Sequence, residues 1–239
     1  MNIRPYVIIN GVSSQAITGL LVTKLPPVSK PLQRVLQEEI DGKDGDIITP
    51  LGYSAVDKPL EIALTRDYDV DEVISYFDSE GEITFSNEPD KYYRFKIYEQ
   101  IDFERLIRFK TATVNIHTQP FKLSTIETEQ VISVTQSPTT IRVTNVGNYN
   151  ARPVITLTGS GNVTIALNGS DVLSIALGDV SRAITIDSEA LNAYYADNTL
   201  ANRAVTGDYD NIRLKTGANT FVINGSVTQF KIKNYSRWL

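Results

Sequence analysis

The chain carries few residues able to do chemistry. Among 239 residues there is no cysteine and a single histidine. Without thiols there is no disulfide framework, no thiolate zinc site and no cysteine nucleophile. The lone imidazole is the one candidate for a catalytic triad. His117 lies in Val114-Asn115-Ile116-His117-Thr118-Gln119, and strand alternation places it on one face with Thr113, Asn115 and Gln119. It reads either as a general base or as a solvent or interface histidine on a polar strand face. No local motif supplies the orienting carboxylate and nucleophile that a base needs, so the second reading is preferred.

The carboxylates are no more promising. Asp41-Gly42-Lys43-Asp44-Gly45-Asp46 fails the order of an EF-hand loop and lacks the spacing of a phosphate loop. Two glycines with aspartate neighbours make an exposed turn between strands, with a hard-cation site as the alternative. Glu38-Glu39 point to opposite faces of any strand and are a poor acid/base pair. Asp187 and Glu189 share a face, but no sugar cleft accompanies them, and Gly-x-Ser-x-Gly is absent. Trp238, the sole tryptophan, reads as closing a core or a subunit contact. Twelve tyrosines against eight phenylalanines favour surfaces that become wet interfaces, and Tyr194, Tyr195 and Tyr209 are candidate sugar contacts. We expect no catalytic residue, no cofactor and no metal.

The elements that would position these residues change character along the chain. Tyr6-Val7-Ile8-Ile9 is a short strand ending in the tight-turn pair Asn10-Gly11. Ile17 to Leu25 reads as a strand closed by Pro26-Pro27. One helix is expected from about Val70 to Ser79, with Val70, Val73, Ile74 and Phe77 on its apolar face. Asp69 is its N-cap, Glu72 completes a capping box, and Gly81 stops it. Strands follow at Ile83-Thr84-Phe85, Tyr92 to Ile101 and Thr111 to Gln119. The second half has almost no helical periodicity. Short β-rich runs at Thr140–Thr144, Val154–Thr158, Val163–Leu167, Val172–Leu177, Ala183–Ile186, Ile212–Leu214, Thr220–Ile223 and Val227–Lys231 alternate with turn residues. Asn168-Gly169 marks a hairpin. This spacing predicts an antiparallel sandwich. The fold class is mainly β with one helix, in two domains, residues 1–128 and 129–239.

Charge divides in the same way. Residues 1–128 hold 14 basic and 20 acidic residues, a balance of -6, and residues 129–239 hold 9 basic and 8 acidic, a balance of +1. A general nucleic-acid binder carries a basic surplus, which this chain lacks. No apolar run approaches the ~18 residues of a membrane span. The first residues show no signal-peptide h-region, so the four glycosylation sequons read as turn and strand chemistry.

Several strings, in order, resemble the distal tail protein (Dit) family of long-tailed phages and prophages of Gram-positive bacteria. Ile9-Asn10-Gly11-Val12-Ser13 resembles the family's opening. Glu39-Ile40-Asp41-Gly42-Lys43-Asp44-Gly45 resembles its acidic turn. Asn87-Glu88-Pro89-Asp90-Lys91-Tyr92-Tyr93 resembles its strand entry, and Gln119-Pro120-Phe121 its closing strand. In the second half, Asn145-Val146-Gly147 with Pro153-Val154-Ile155, then Gly217-Ala218-Asn219-Thr220 and Trp238-Leu239, are similar to the later signatures.

The resemblance implies a ring-forming N-terminal domain and a galectin-like C-terminal β-sandwich. It implies a homo-oligomeric, usually hexameric, ring in the virion tail tip, made in the host cytoplasm. That ring joins the tail-tube protein to a tail-associated fibre or lysin protein and passes DNA through its lumen, with no membrane partner. Asn10, Gly11, Gly42, Asp44, Gly45, Pro89, Asp90, Tyr93, Pro120 and Phe121 match the first-domain pattern and are expected to determine fold and ring. The acidic first half fits a lumen that does not bind phosphate. The alternative function is a carbohydrate-binding module for host-wall saccharide, using Tyr194 and Tyr195.

Overall fold

A computed structural model describes residues 4–42 and 44–239. Lys43, part of the acidic turn, lies outside the described residues. The chain divides into two compact units, Met1–Thr125 with Leu239, and Ile126–Trp238.

The first unit is a curled antiparallel sheet with two helices and a projecting hairpin. Its strands are β1 (Val7–Ile9), β2 (Val12–Ser13), β3 (Leu20–Lys24), β4 (Gln33–Glu39), β5 (Asp46–Tyr53), β6 (Val56–Leu64), β7 (Glu80–Phe85), β8 (Lys91–Lys96) and β9 (Thr111–Ser124). The sheet order is β2-β1-β7-β8-β9-β6-β3, and β4 and β5 pair only with each other. Asn10 (φ 48°) and Gly11 (φ 83°) make the expected two-residue turn, pairing Ile9 with Val12. Asn10 does more than turn the chain. Its Nδ2 donates to Glu80 O at 2.9 Å, and its Oδ1 accepts from Glu82 N–H at 2.9 Å. Gly81, between these two, has φ 133°, and a Cβ there would lie 2.2 Å from Asn10 Oδ1. The expected helix stop at Gly81 is therefore a strand position that makes room for Asn10.

Helix α1 (Val70–Phe77) begins where the cap pattern indicates, with Asp69 Oδ1 accepting from Asp71 N–H and Glu72 N–H. Glu72 does not close a capping box; its Oε2 accepts from Thr18 N–H at 2.9 Å. The buried face is Val73, Tyr76 and Phe77, while Ile74 is exposed. Tyr76 turns inward because its hydroxyl donates to the carbonyls of Val7 and Val12. A second helix, α2 (Phe103–Phe109), corrects the one-helix expectation. It buries Leu106 and leaves Ile107 and Phe109 exposed; Phe103, Leu106 and Ile107 fall at i, i+3 and i+4, but a run of seven residues is too short for that period to stand out.

The second unit is an eight-stranded β-sandwich. Its strands are β10 (Gln130–Ser133), β11 (Thr139–Asn145), β12 (Val154–Leu167), β13 (Ser170–Ala176), β14 (Arg182–Asp187), β15 (Asn192–Tyr195), β16 (Val205–Gly207) and β17 (Gly217–Lys233). The runs read separately at Val154–Thr158 and Val163–Leu167 form one strand, as do those at Thr220–Ile223 and Val227–Lys231. The first half of β12 pairs with β14 and with the second half of β17, and its second half pairs with β13 and with the first half of β17. With the outer pairings, one layer runs β15-β14-β12-β17-β10 and the other β16-β13-β12-β17-β11.

The register shifts at Thr158/Gly159 and Ser160/Thr164 mark where the strands cross between layers. Glycines permit this close approach: a Cβ on Gly159 would meet Ser226 O at 2.2 Å, and one on Gly225 would meet Asn162 O at 2.5 Å. The expected Asn168-Gly169 hairpin is present, with φ 54° and 87° and Leu167 opposite Ser170. Ile212–Leu214 is no strand; Leu214 makes one isolated bridge to Ala151. Both layers send Ile155, Leu157, Ile165, Ile175, Ile184, Phe221 and Phe230 into a single core, each stabilising by ~1.5–3 kcal/mol relative to exposure.

Candidate assembly site

The acidic turn Asp41-Gly42…Gly45-Asp46 is the tip of the β4–β5 hairpin, with Gly42 at φ 79° and Gly45 at φ 82°. Asp44 is exposed there, and no cluster of three or more potential metal ligands exists among the described residues. Every residue of β4 is exposed, as is β5 up to Leu51. Yet the ribbon is apolar on both faces. Val35 sits opposite Pro50 and Gln37 opposite Ile48 on one face; Leu36 sits opposite Thr49 and Glu38 opposite Ile47 on the other. Ile48 is 58% exposed and Leu51 56%. The lead-in adds Val28 and Leu32, also exposed. A two-stranded ribbon on its own is marginal in water, and an apolar surface on both faces is the mark of an interaction surface.

The hairpin is rooted on the sheet by aromatic packing. Tyr53, the last residue of β5, meets Phe121 of β9 edge-on. Phe121 sits in a bulge: β8 and β9 pair at Tyr93↔Lys122 and again at Phe95↔Thr118, so Gln119, Pro120 and Phe121 are looped out of register. Pro120 cannot donate to the ladder, which favours the bulge there. β8–β9 pairing thereby brings together two motifs that lie 30 residues apart in the sequence.

Beside the root lies a buried charged node. Lys122 Nζ pairs with Glu88 Oε1 at 2.8 Å. Lys58, only 3% exposed, reaches in from β6 and places its ammonium 4.7 Å from the Tyr93 ring centroid. Burial, and then the charge of Lys122, hold Lys58 below the ordinary lysine range, partly offset by Glu88. Burial pushes the Tyr93 hydroxyl well above its usual value, and Glu88 adds to the effect. Tyr93 also packs edge-on with Phe85, centroids 5.8 Å apart. Pro89 and Asp90 form the turn into β8, where the Asp90 carbonyl accepts from Thr125 N–H at 3.0 Å and its carboxylate pairs with Lys91.

Of the sequence-matched residues, Pro89, Asp90, Tyr93, Pro120 and Phe121 thus surround one node. Asn10 and Gly11 sit at the far turn of the sheet, and Gly42, Asp44 and Gly45 at the hairpin tip. Sequence reading missed Lys58 and Lys122, because a buried lysine has the same letter as an exposed one. Their inward positions in alternating strands, Lys58 in phase with Leu60 and Ile62, were the available signal.

His117 has an orienting carboxylate after all: Asp57, its cross-strand partner on β6, accepts from Nδ1 at 2.6 Å. No local motif could reveal a partner 60 residues away. The other hydrogen-bond partner of the ring among the described residues is the Tyr98 hydroxyl at 3.4 Å. In the second unit, alternation separates the tyrosine pair. Tyr194 lies in register with Thr185, on the face opposite the core, whereas Tyr195 lies in register with Ile184 and packs against the core. Arg182 covers the Tyr195 ring at 5.4 Å.

Fold and geometry define a class: a mainly-β chain of two units, a sheet bearing an exposed two-faced hairpin followed by a sandwich with shared strands. The same fold is found in the crystal structure of SPP1 Dit (gp 19.1), described as a paradigm of the hub adsorption apparatus in phages infecting Gram-positive bacteria. The two share 18% sequence identity with a TM-score of 0.65, over 98% of this chain and 99% of that one. A structure of infectious bursal disease virus Gt strain, at 9% identity and a TM-score of 0.18 over 92% of this chain and 57% of that one, carries no argument. No family model and no curated protein match the chain.

Proposed function

We propose that the protein is a structural hub of a phage tail tip, working in the virion as a ring of identical copies. The observation that carries this is the end-to-end likeness to the SPP1 hub protein across both units. The β4–β5 hairpin supports the oligomer, because a ribbon with apolar side chains on both faces needs cover on both faces. A copy inserted between two neighbours has that cover, and a repeated head-to-tail contact closes into a ring. In this reading the ring, six-membered in the resembled family, joins the tail tube to a fibre or lysin protein. DNA passes through its lumen without specific binding, and the excess of acidic residues in the first unit keeps phosphate from adhering. The fold and ring roles expected of Asn10, Gly11, Gly42, Asp44, Gly45, Pro89, Asp90, Tyr93, Pro120 and Phe121 are part of this proposal.

Sedimentation and negative-stain imaging of the full chain, alone and with tail-tube protein, test it. Rings are expected. The double variant Leu36→Ser with Ile48→Ser should fold normally and fail to assemble. A monomer under all these conditions overturns the reading. A second reading, recognition of host-wall saccharide, rests on Tyr194 as a half-buried aromatic on the outer sheet face; full-chain binding to purified walls that is lost in Tyr194→Ala would support it.

A further inference from the structure

Among the described buried cations, Lys58 alone has no carboxylate within ion-pair distance. Lys122 has Glu88, and Arg237 has Glu189 at 2.8 Å. Glu88 is already engaged, so the node holds two ammonium groups and one carboxylate. Glu88 offsets the Lys58 charge only in part and from beyond ion-pair distance, and a buried charge without a direct partner is costly for a fold to keep. The Tyr93 ring relieves part of that cost through its π-face but supplies no counter-charge.

The first unit also carries the opposite imbalance. Glu38, Glu39, Asp41, Asp44 and Asp46 crowd the hairpin tip, all exposed and none within ion-pair distance of a described cation. These carboxylates cannot reach Lys58 of their own chain. The hairpin is rooted at Tyr53 and Phe121, next to Lys122 and the node. Its tip stands off by the seven residues of β4, about 23 Å at the usual rise of an extended strand. A tip of the same kind on another copy has no such limit.

We propose that Lys58 is the seat for a carboxylate from the hairpin tip of a neighbouring copy of this chain. The inference rests on the ring reading and names its contact: tip of one copy to root of the next. That contact is heterologous, so it propagates around a ring rather than stopping at a pair. Docking completes the ion balance of the node while the flanks of the ribbon bury their apolar residues. The depressed proton affinity of the unassembled ammonium agrees with a group awaiting its counter-ion.

The test is zero-length carbodiimide cross-linking of assembled full-length protein, mixed from equal parts of ¹⁵N-labelled and unlabelled chains. The expected product is an amide joining Lys58 to the 38–46 segment, with about half of the linked pairs carrying one labelled and one unlabelled peptide, as random mixing requires. Lys58→Arg should keep the ring and lose this product. Lys58→Met should weaken assembly at least tenfold, as loss of a buried interface charge pair does. Because a core substitution can disturb folding, Asp44→Asn with Glu38→Gln removes tip charge outside the core. It should weaken assembly to a similar degree, and adding Lys58→Met should bring little further loss. Rings in which Lys58 is unlinked, or linked only to Glu88 of its own chain, overturn this proposal and leave the ring reading standing. Failure to form rings at all overturns the ring reading itself.

Discussion

Tyr53 and Phe121 meet with their ring centroids 5.7 Å apart at an interplanar angle of 77°, an edge-to-face contact between the end of the exposed hairpin and the bulge of β9. Such pairs contribute about 0.5–1.5 kcal/mol beyond the area they bury. This contact sets the angle at which the ribbon leaves the sheet. Tyr53→Ala should lower overall stability by only ~1–2 kcal/mol but should speed amide exchange throughout residues 33–53 and weaken assembly. Exchange confined to the substituted position would show that the root does not hold the ribbon.

The node beside it predicts opposite effects for two substitutions. Glu88→Gln leaves two buried ammonium groups with no carboxylate and should cost ~3–5 kcal/mol in chemical denaturation. Lys58→Met removes the excess charge at similar volume and should leave the unassembled chain as stable or more so. Equal destabilisation by both would mean that Lys58 is needed for the fold itself.

Lys58→Met and the parent chain should also differ in their pH dependence. Lys58 binds its proton less tightly in the folded chain than the ordinary lysine value of 10.5. Between its folded value and 10.5 the unfolded chain therefore holds more protons, and stability from this group rises with pH. The advantage of Lys58→Met over the parent should be largest near neutrality and shrink as pH climbs. Above about pH 10 the buried hydroxyls of Tyr76 and Tyr93 act the other way in both proteins, because the unfolded chain ionises first. Denaturant midpoints of both proteins across this range measure the difference directly, and a constant gap would contradict it.

The N-cap of α1 is a simpler test. Asp69→Ala removes the acceptor for two backbone N–H groups and should cost about 1 kcal/mol. A thermal melt would register this as a fall of a few degrees, and no change would mean that solvent replaces the cap fully.

Two buried asparagines predict a larger loss in the second unit. Asn145 donates to the carbonyls of Tyr149 and Leu214 and accepts from Gly147 N–H. Asn219 likewise serves Lys215, Gly217 and Asn168. Asn219→Ala strands several of these groups and should destabilise by ~2–4 kcal/mol, measurable in urea. A loss under ~1 kcal/mol would mean that water reaches the vacated groups.

Much of this architecture was legible from local chemistry. Turn pairs such as Asn10-Gly11 and Asn168-Gly169, the Asp69 cap and the alternation along β9 each act over a few residues, so their consequences could be read directly. The turn over residues 41–46 was legible as a link between strands, but the extent and register of β4 and β5 were not, because every residue of β4 and most of β5 are exposed, which leaves no inward-outward pattern to read. The continuity of β12 and β17 escaped because glycine bends look like strand ends. The node was hidden for another reason. Its members, Lys58 on β6, Glu88 in the β7–β8 turn, Tyr93 on β8, and Phe121 and Lys122 on β9, are far apart in the sequence, and pairing in the sheet brings them within contact.

The crossing of β12 and β17 between layers has a consequence for how the sandwich forms. β17 follows every other strand of the sandwich in the chain, yet it lies inside both layers, between β12 and the edge strands β10 and β11. Neither layer can close its ladder before that strand exists. The contacts span up to about 100 residues, as between Ile132 and Phe230, so the search is long-range and slow. Until then β12 presents an unpaired apolar edge, which makes the nascent chain prone to join other chains edge to edge. Synthesis at lower temperature or a holding chaperone should therefore improve the yield of this unit.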